Sequence, residues 1–107
     1  IIDAKSGVSG AGKKNNDSKH YAHVNDNLSI YKVHQHQHIP EIEQQLLEWD
    51  SELTPIMFTT HLIPMTRGIM VTMHAKVKPE VTAEHIHNAF LTAYQNEFFI
   101  RYRFQNG

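Results

Sequence analysis

Three histidines, His34, His36 and His38, stand two residues apart in VHQHQHIPEIEQQ, residues 33–45. In a strand, side chains two apart point to the same face. The three imidazoles would then form one row, aimed together at whatever lies above that face. Imidazole titrates nearest neutral pH and is a common metal ligand. Such a row fits proton transfer, a bound metal or an anionic ligand. The plainer reading is a polar strand face turned to water, since histidine is often half-exposed.

The elements that must position this row can be read around it. Leu28 to His38 reads as a strand, with Ile30, Lys32, His34, His36 and His38 on one face. Pro40 suits the first turn of a helix, where its missing N–H costs nothing. Glu41 and Glu43 suit the positive end of the helix dipole. Ile42, Leu46, Trp49 and Leu53, with Leu47 alongside, form the helical apolar stripe. The histidine row thus runs into a helix N-terminus, which favours anions. A second cation, Arg67, lies in the Pro64-Met65-Thr66-Arg67-Gly68 turn and could clamp a carboxylate or phosphate with its planar fork. A surface arginine is the equal alternative.

Upstream, Ser6 to Gly12 holds three glycines and two serines in seven residues. Free backbone N–H groups and Ser hydroxyls in such a run can cradle an anion. The spacing is neither a P-loop nor a dinucleotide fingerprint, and a flexible turn reads as well. Ile1 to Ala4 reads as the end of a buried strand. Lys13 to Asn27 reads as a polar surface excursion carrying His20 and His23. Ile56 to Ile63 and Ile69 to Val77 read as strands, and are expected to form an antiparallel pair. His61 falls near the end of the first. Thr82 to Gln95 reads as a helix capped by Thr82, with His85 and His87 exposed. Phe98 to Phe104 alternates as a final strand. The order implies an α+β fold: a mixed, mostly antiparallel sheet of four or five strands with helices on one face.

The 107 residues suffice for a single domain, 1–107, with a modest core. Hydrophobic residues make up 40% and charged residues 20%, an ordinary globular balance. The net charge of −1 with neutral histidines offers no basic field for nucleic acid or an anionic membrane. There is no cysteine, hence no disulfide, thiolate metal site or cysteine nucleophile within these residues. The apolar runs are too short to span a bilayer. The opening Ile1-Ile2 reads as mid-strand, as in a piece of a longer protein.

Taken together and in order, DAKSGVSGAG, HQHIPEIEQ and HLIPMTRG resemble the N-acetyl-gamma-glutamyl-phosphate reductases of arginine biosynthesis. The resemblance covers nearly all of Ile1 to Tyr102. SGAG is also similar to a run in aspartate-semialdehyde dehydrogenases, beside cofactor and substrate. The resemblance implies the second domain of a two-domain enzyme, of the glyceraldehyde-3-phosphate-dehydrogenase-like α+β type, acting in substrate binding and dimerisation. It implies an NADP-binding Rossmann domain and a nucleophilic cysteine upstream of Ile1. The chain alone would then be inactive. Departures are Lys13 and Gln37, where the family usually has arginine, His34 and Gln35, where it usually has glycine, and Thr60, where it usually has proline. The histidine row accordingly shrinks to His36 and His38.

The chemistry so implied reduces an acyl phosphate to a semialdehyde with NADPH. His36 is the expected general acid/base. His38, His61, Arg67 and Ser6 are the expected substrate holders, and Ser9 and Gly10 line the cofactor side. A cytoplasmic homo-oligomer acting on a small molecule is implied, with neither nucleic acid nor membrane as partner. Two alternatives remain: a metal module built on His34, His36 and His38, and a pure oligomerisation domain.

Overall fold

A computed structural model of the chain describes residues 1–11 and 20–105. It divides into two compact units, Ile1–Ala75 and Lys76–Gly107. The first contains a four-stranded sheet built from β1 (Ile2–Ser6), β2 (Ser29–Tyr31), β3 (Phe58–Leu62) and β4 (Ile69–Met73), in the spatial order β2-β3-β1-β4. β1 and β3 run parallel, with Ile2 opposite Phe58 and Ser6 opposite Leu62. The other two pairings are antiparallel. The fold is therefore α+β with a mixed sheet, as expected. The pairing of the two later strands is not: β3 and β4 flank β1 on opposite sides. Residues 63–68 cross the end of β1 to join them.

Alternation sorts the sheet into two faces. Ala4, Phe58, Thr60 and Leu62 are buried on one, and form most of the core together with Val24. Thr60 is satisfied there because its hydroxyl donates to the Tyr31 carbonyl at 2.5 Å. Asp3, Lys5 and His61 alternate onto the other face.

The strand expected over Leu28 to His38 is corrected. β2 ends at Tyr31, and two successive turns follow, closed by Gln35 N–H to the Lys32 carbonyl and Ile39 N–H to the His36 carbonyl, each at 3.0 Å. Lys32 and His34 adopt left-handed φ values of 48° and 52°. The reason is compositional. A strand face is fixed by a set of buried apolar residues, and Val33 is the only apolar residue from Lys32 to His38. The three-histidine row therefore does not form. A left-handed backbone costs a non-glycine residue about 1–2 kcal/mol, part of which glycine returns through its looser unfolded state. His34→Gly should thus stabilise the protein by about 0.5–1 kcal/mol, read as a higher thermal midpoint. A midpoint that fell would mean that the His34 side chain holds the turn.

α1 (Tyr21–Val24) interrupts the stretch read as a featureless excursion; Lys13 and its neighbours to residue 19 lie outside the described residues. α2 (Ile39–Trp49) begins one residue before Pro40, with His38 at its cap. Ile42, Leu46 and Leu53 are half-buried along the expected stripe, whereas Trp49 is 75% exposed.

In the second unit, α3 (Ala83–Tyr94) has the expected Thr82 cap. Its hydroxyl accepts from His85 N–H, and the His85 ring accepts from Thr82 N–H. His87 is half-buried rather than exposed: its Nδ1 lies 3.0 Å from the Tyr102 hydroxyl. The strand expected over Phe98 to Phe104 is corrected to turns and irregular chain, with Phe99 92% exposed. Strand backbone needs a neighbour's N–H and C=O groups, and no strand is found among the described residues of this unit.

Candidate functional site

The Ser6–Ala11 stretch is pinned by backbone. After β1, a 3-10 turn spans Val8–Ala11. Gly7, Val8 and Ser9 donate their N–H groups to the carbonyls of Gly68, Met65 and Thr66 at 2.9, 2.8 and 3.1 Å. Gly10 N–H returns to the Gly7 carbonyl at 3.2 Å, and the Ser6 hydroxyl donates to the same carbonyl. From Gly7 to Gly10 the N–H groups are already spent on protein carbonyls, so these four residues cradle no anion and the turn reading fits them. Glycine is needed for close approach instead. A Cβ on Gly7 would lie 3.0 Å from backbone atoms of Arg67 and Met65, and one on Gly10 would lie 2.8 Å from Ser6 Oγ. The Pro64–Gly68 crossing is thus strapped over the end of β1. It carries Arg67 there, exposed and with no ion-pair partner among the described residues. Gly68, at φ 105°, makes the bend that lets β4 begin.

His36 lies at the other end of the same face. Its ring packs edge-on to Tyr31, His38 and Phe58, with centroids 5.9, 4.8 and 5.4 Å away. His36 Nδ1 accepts the His38 N–H at 3.3 Å, which leaves the proton of the neutral ring on Nε2. Partial burial holds the His36 pKa below its ordinary 6.5, and the charges of His38 and Lys32 push it the same way against Glu41. The ring is accordingly neutral at pH 7. The sign for stability follows. Below about pH 6.5 the unfolded chain protonates this ring more readily than the folded one, so stability present above that pH is lost as the pH falls. Thermal midpoints from pH 7.5 to 5 should show a steeper acid loss in the native protein than in His36→Gln. Identical slopes would show that the ring is not held neutral by the fold.

Phe58 and Leu62 are four residues apart, about 13 Å along a strand. His36 and His38 therefore sit at one end of β1, and Ser6, Ser9, Gly10 and Arg67 at the other. His61 joins neither group. On the opposite face its Nδ1 lies 3.0 Å from Asp3 Oδ1, off the line a hydrogen bond needs, and neither atom has another partner among the described residues. Lys5 Nζ contacts the other Asp3 oxygen at 2.6 Å. The Lys5 hydrogen bond holds the Asp3 carboxyl below its usual range, aided by the charges of Lys5 and His61 and opposed by desolvation. The sequence reading missed this cluster, although Asp3 and Lys5, two apart in a strand, already signalled a shared face. Among the described residues no group of three or more His, Asp or Glu is placed to hold a metal ion. No helix is long and apolar enough to cross a membrane among them.

A family model described as "Semialdehyde dehydrogenase, dimerisation domain" matches residues 1–106. The chain is 55% identical over 103 residues to the N-acetyl-gamma-glutamyl-phosphate reductase of Bacillus cytotoxicus, covering 96% of this chain and 30% of that protein. The reductase of the same name from Bacillus cereus is 58% identical over 105 residues, covering 98% and 30%. That from Geobacillus sp. is 54% identical over 103 residues, covering 96% and 30%. The chain thus spans about 30% of the length of the curated relatives it matches. With the HQHIPEIEQ and HLIPMTRG motifs placed at opposite ends of one strand, and a match over 106 of its 107 residues, the chain belongs to the semialdehyde dehydrogenase dimerisation-domain family.

Proposed function

We propose that these residues form part of the substrate-binding and dimerisation domain of a reductase that converts N-acetyl-glutamyl 5-phosphate to N-acetyl-glutamate 5-semialdehyde. The observation that carries this reading is the identity of 54–58% with reductases of that name over nearly the whole chain. The placement of the motifs supports it. A neutral, half-buried histidine lies at one end of β1 and an exposed arginine at the other. The substrate's reacting carbonyl would lie towards His36 and an anionic end towards Arg67.

His36 gives or takes a proton at the reacting oxygen, and its packing against Phe58 and Tyr31 fixes the ring for that work. The nucleophilic thiolate comes from upstream of Ile1, where the resemblance places it, and so enters at the His36 end of β1. NADPH supplies the hydride. Ser9 offers a hydroxyl and Gly10 an open Cα to a flat ring, but their N–H groups are engaged and hold no nucleotide phosphate. The cofactor is therefore held mainly by another domain. His38, at the cap of α2, is placed to adjust His36 rather than to grip substrate. The enzyme works in the cytoplasm as a homo-oligomer joined through this domain.

The test is phosphate-dependent NADP reduction by the full-length enzyme with N-acetylglutamate semialdehyde. Turnover supports the reading, and its absence with a folded enzyme overturns it. Arg67→Lys should raise the Michaelis constant for the semialdehyde at least tenfold, about 1.4 kcal/mol of lost binding. An ammonium keeps the charge but lacks the planar two-donor fork. The thermal midpoint should barely move, because Arg67 is exposed. Unchanged kinetics would return Arg67 to the solvated surface.

A further inference from the structure

A pocket of about 400 Å³ lies beside the Arg67 crossing, lined by Val8 and Ser9 of the 3-10 turn, Tyr21 and Val24 of α1, and Met65 and Thr66 of the crossing. Its walls are mainly apolar, and Ser9, Tyr21 and Thr66 among them carry hydroxyls. That size falls within the range of small-molecule sites. The reaction proposed above uses Arg67, His36 and the cofactor side, and of this pocket's lining it uses only Ser9.

Covalent connectivity says what belongs in it. In an N-acylated glutamate derivative, the carboxylate and the acylamido group hang from one carbon. A site that holds the carboxylate must therefore have a second subsite immediately beside it for the acyl group. Thr66, which lines the pocket, is the residue bonded to Arg67, and Met65 precedes it. The acyl methyl is apolar and suits Val8, Val24 and Met65. The amide is polar and suits the Thr66 and Tyr21 hydroxyls. We propose that this pocket is the N-acyl subsite, and that Arg67 takes the carboxylate on the same substrate carbon rather than the phosphate. The inference rests on the reductase reading, which it refines by assigning substrate selectivity to Val8 and Tyr21.

Two variants of the full-length enzyme change the pocket in opposite directions. Val8→Phe fills it, and Tyr21→Ala opens its wall. Tyr21 is 76% exposed, so its truncation leaves the core intact even where the larger substitution hinders folding. N-formyl-, N-acetyl- and N-butyryl-glutamate semialdehydes are compared in the phosphate-dependent assay. A methylene in an apolar pocket is worth about 10–200-fold in discrimination. Val8→Phe should lower kcat/KM for the acetyl substrate at least tenfold relative to the formyl substrate. Tyr21→Ala should shift preference towards the butyryl substrate by a similar factor. Michaelis constants for NADP and phosphate should stay put. Equal effects on all three acyl substrates would overturn the inference, and a raised Michaelis constant for NADP would reassign the pocket to the cofactor. If the native enzyme turns over none of the three, the reductase reading itself falls, which is a distinguishable result.

Discussion

His36→Asn should lower the turnover of the full-length reductase by about 10²–10⁴-fold, the usual worth of a positioned acid or base. Asparagine is the informative replacement. His36 Nδ1 accepts the N–H of residue 38, and an Asn carbonyl oxygen makes the same contact two residues on in an Asx turn. The variant keeps the turn that leads into α2 and loses only the titrating nitrogen. The Michaelis constant should change less than turnover, because the missing interaction belongs mainly to the transition state. The acid limb of the native pH–rate profile should lie below pH 6.5, in keeping with the lowered pKa, and should vanish in the variant. Near-normal turnover would pass the proton role to His38, whose ring is 4.8 Å away. His61 is not the heir, because it sits on the opposite face of the sheet, against Asp3.

How much of this was readable beforehand varies with the kind of signal. The β3, β4, α2 and α3 segments were legible because each carries apolar residues at a fixed period, and Thr82 announced its own cap. The α+β class followed from their order. Partners within the sheet were not legible. β3 and β4 are near neighbours in sequence, but only the register shows β1 inserted between them. The histidine run misled because alternation without apolar anchors does not choose a face. The glycine run left two readings open for a related reason. Gly and Ser are as useful for letting two backbones touch as for holding an anion, and sequence does not say where the N–H groups go. Of the candidate site, His36, Arg67, Ser6, Ser9 and Gly10 were picked out by type and by the family resemblance, but their division between two ends of β1 is set by the sheet register. The pocket between the 3-10 turn and α1 drew no sequence signal, since Val8, Tyr21 and Met65 are unremarkable residues until they meet.

The role of Gly7 gives the second large expectation. Gly7→Ala should cost about 1–3 kcal/mol of stability, the range for overpacking, and should lower kcat/KM about 100-fold. An added Cβ would lie 3.0 Å from the Arg67 nitrogen and carbonyl carbon and from the Met65 carbonyl oxygen. All three are backbone atoms, so no side-chain rotation can relieve the contact. Either β1 or the crossing must move, against the bonds from Gly7 and Val8 to Gly68 and Met65 at 2.9 and 2.8 Å. The movable partner is the crossing, whose residues 64–68 are exposed. Its displacement would carry Arg67 away from the substrate, and about 1 Å of misplacement costs on the order of 10²-fold. The loss should fall mainly on the Michaelis constant for the semialdehyde, because Arg67 binds rather than reacts, while the His36 limb of the pH–rate profile stays where it was. Gly10→Ala is the internal comparison. There, among the described residues, the added Cβ meets only the Ser6 hydroxyl, at 2.8 Å, which can rotate away, so a smaller loss is expected. A Gly7→Ala enzyme with native kinetics and stability would show that the crossing can shift freely, and that Arg67 is not held in place by the end of β1.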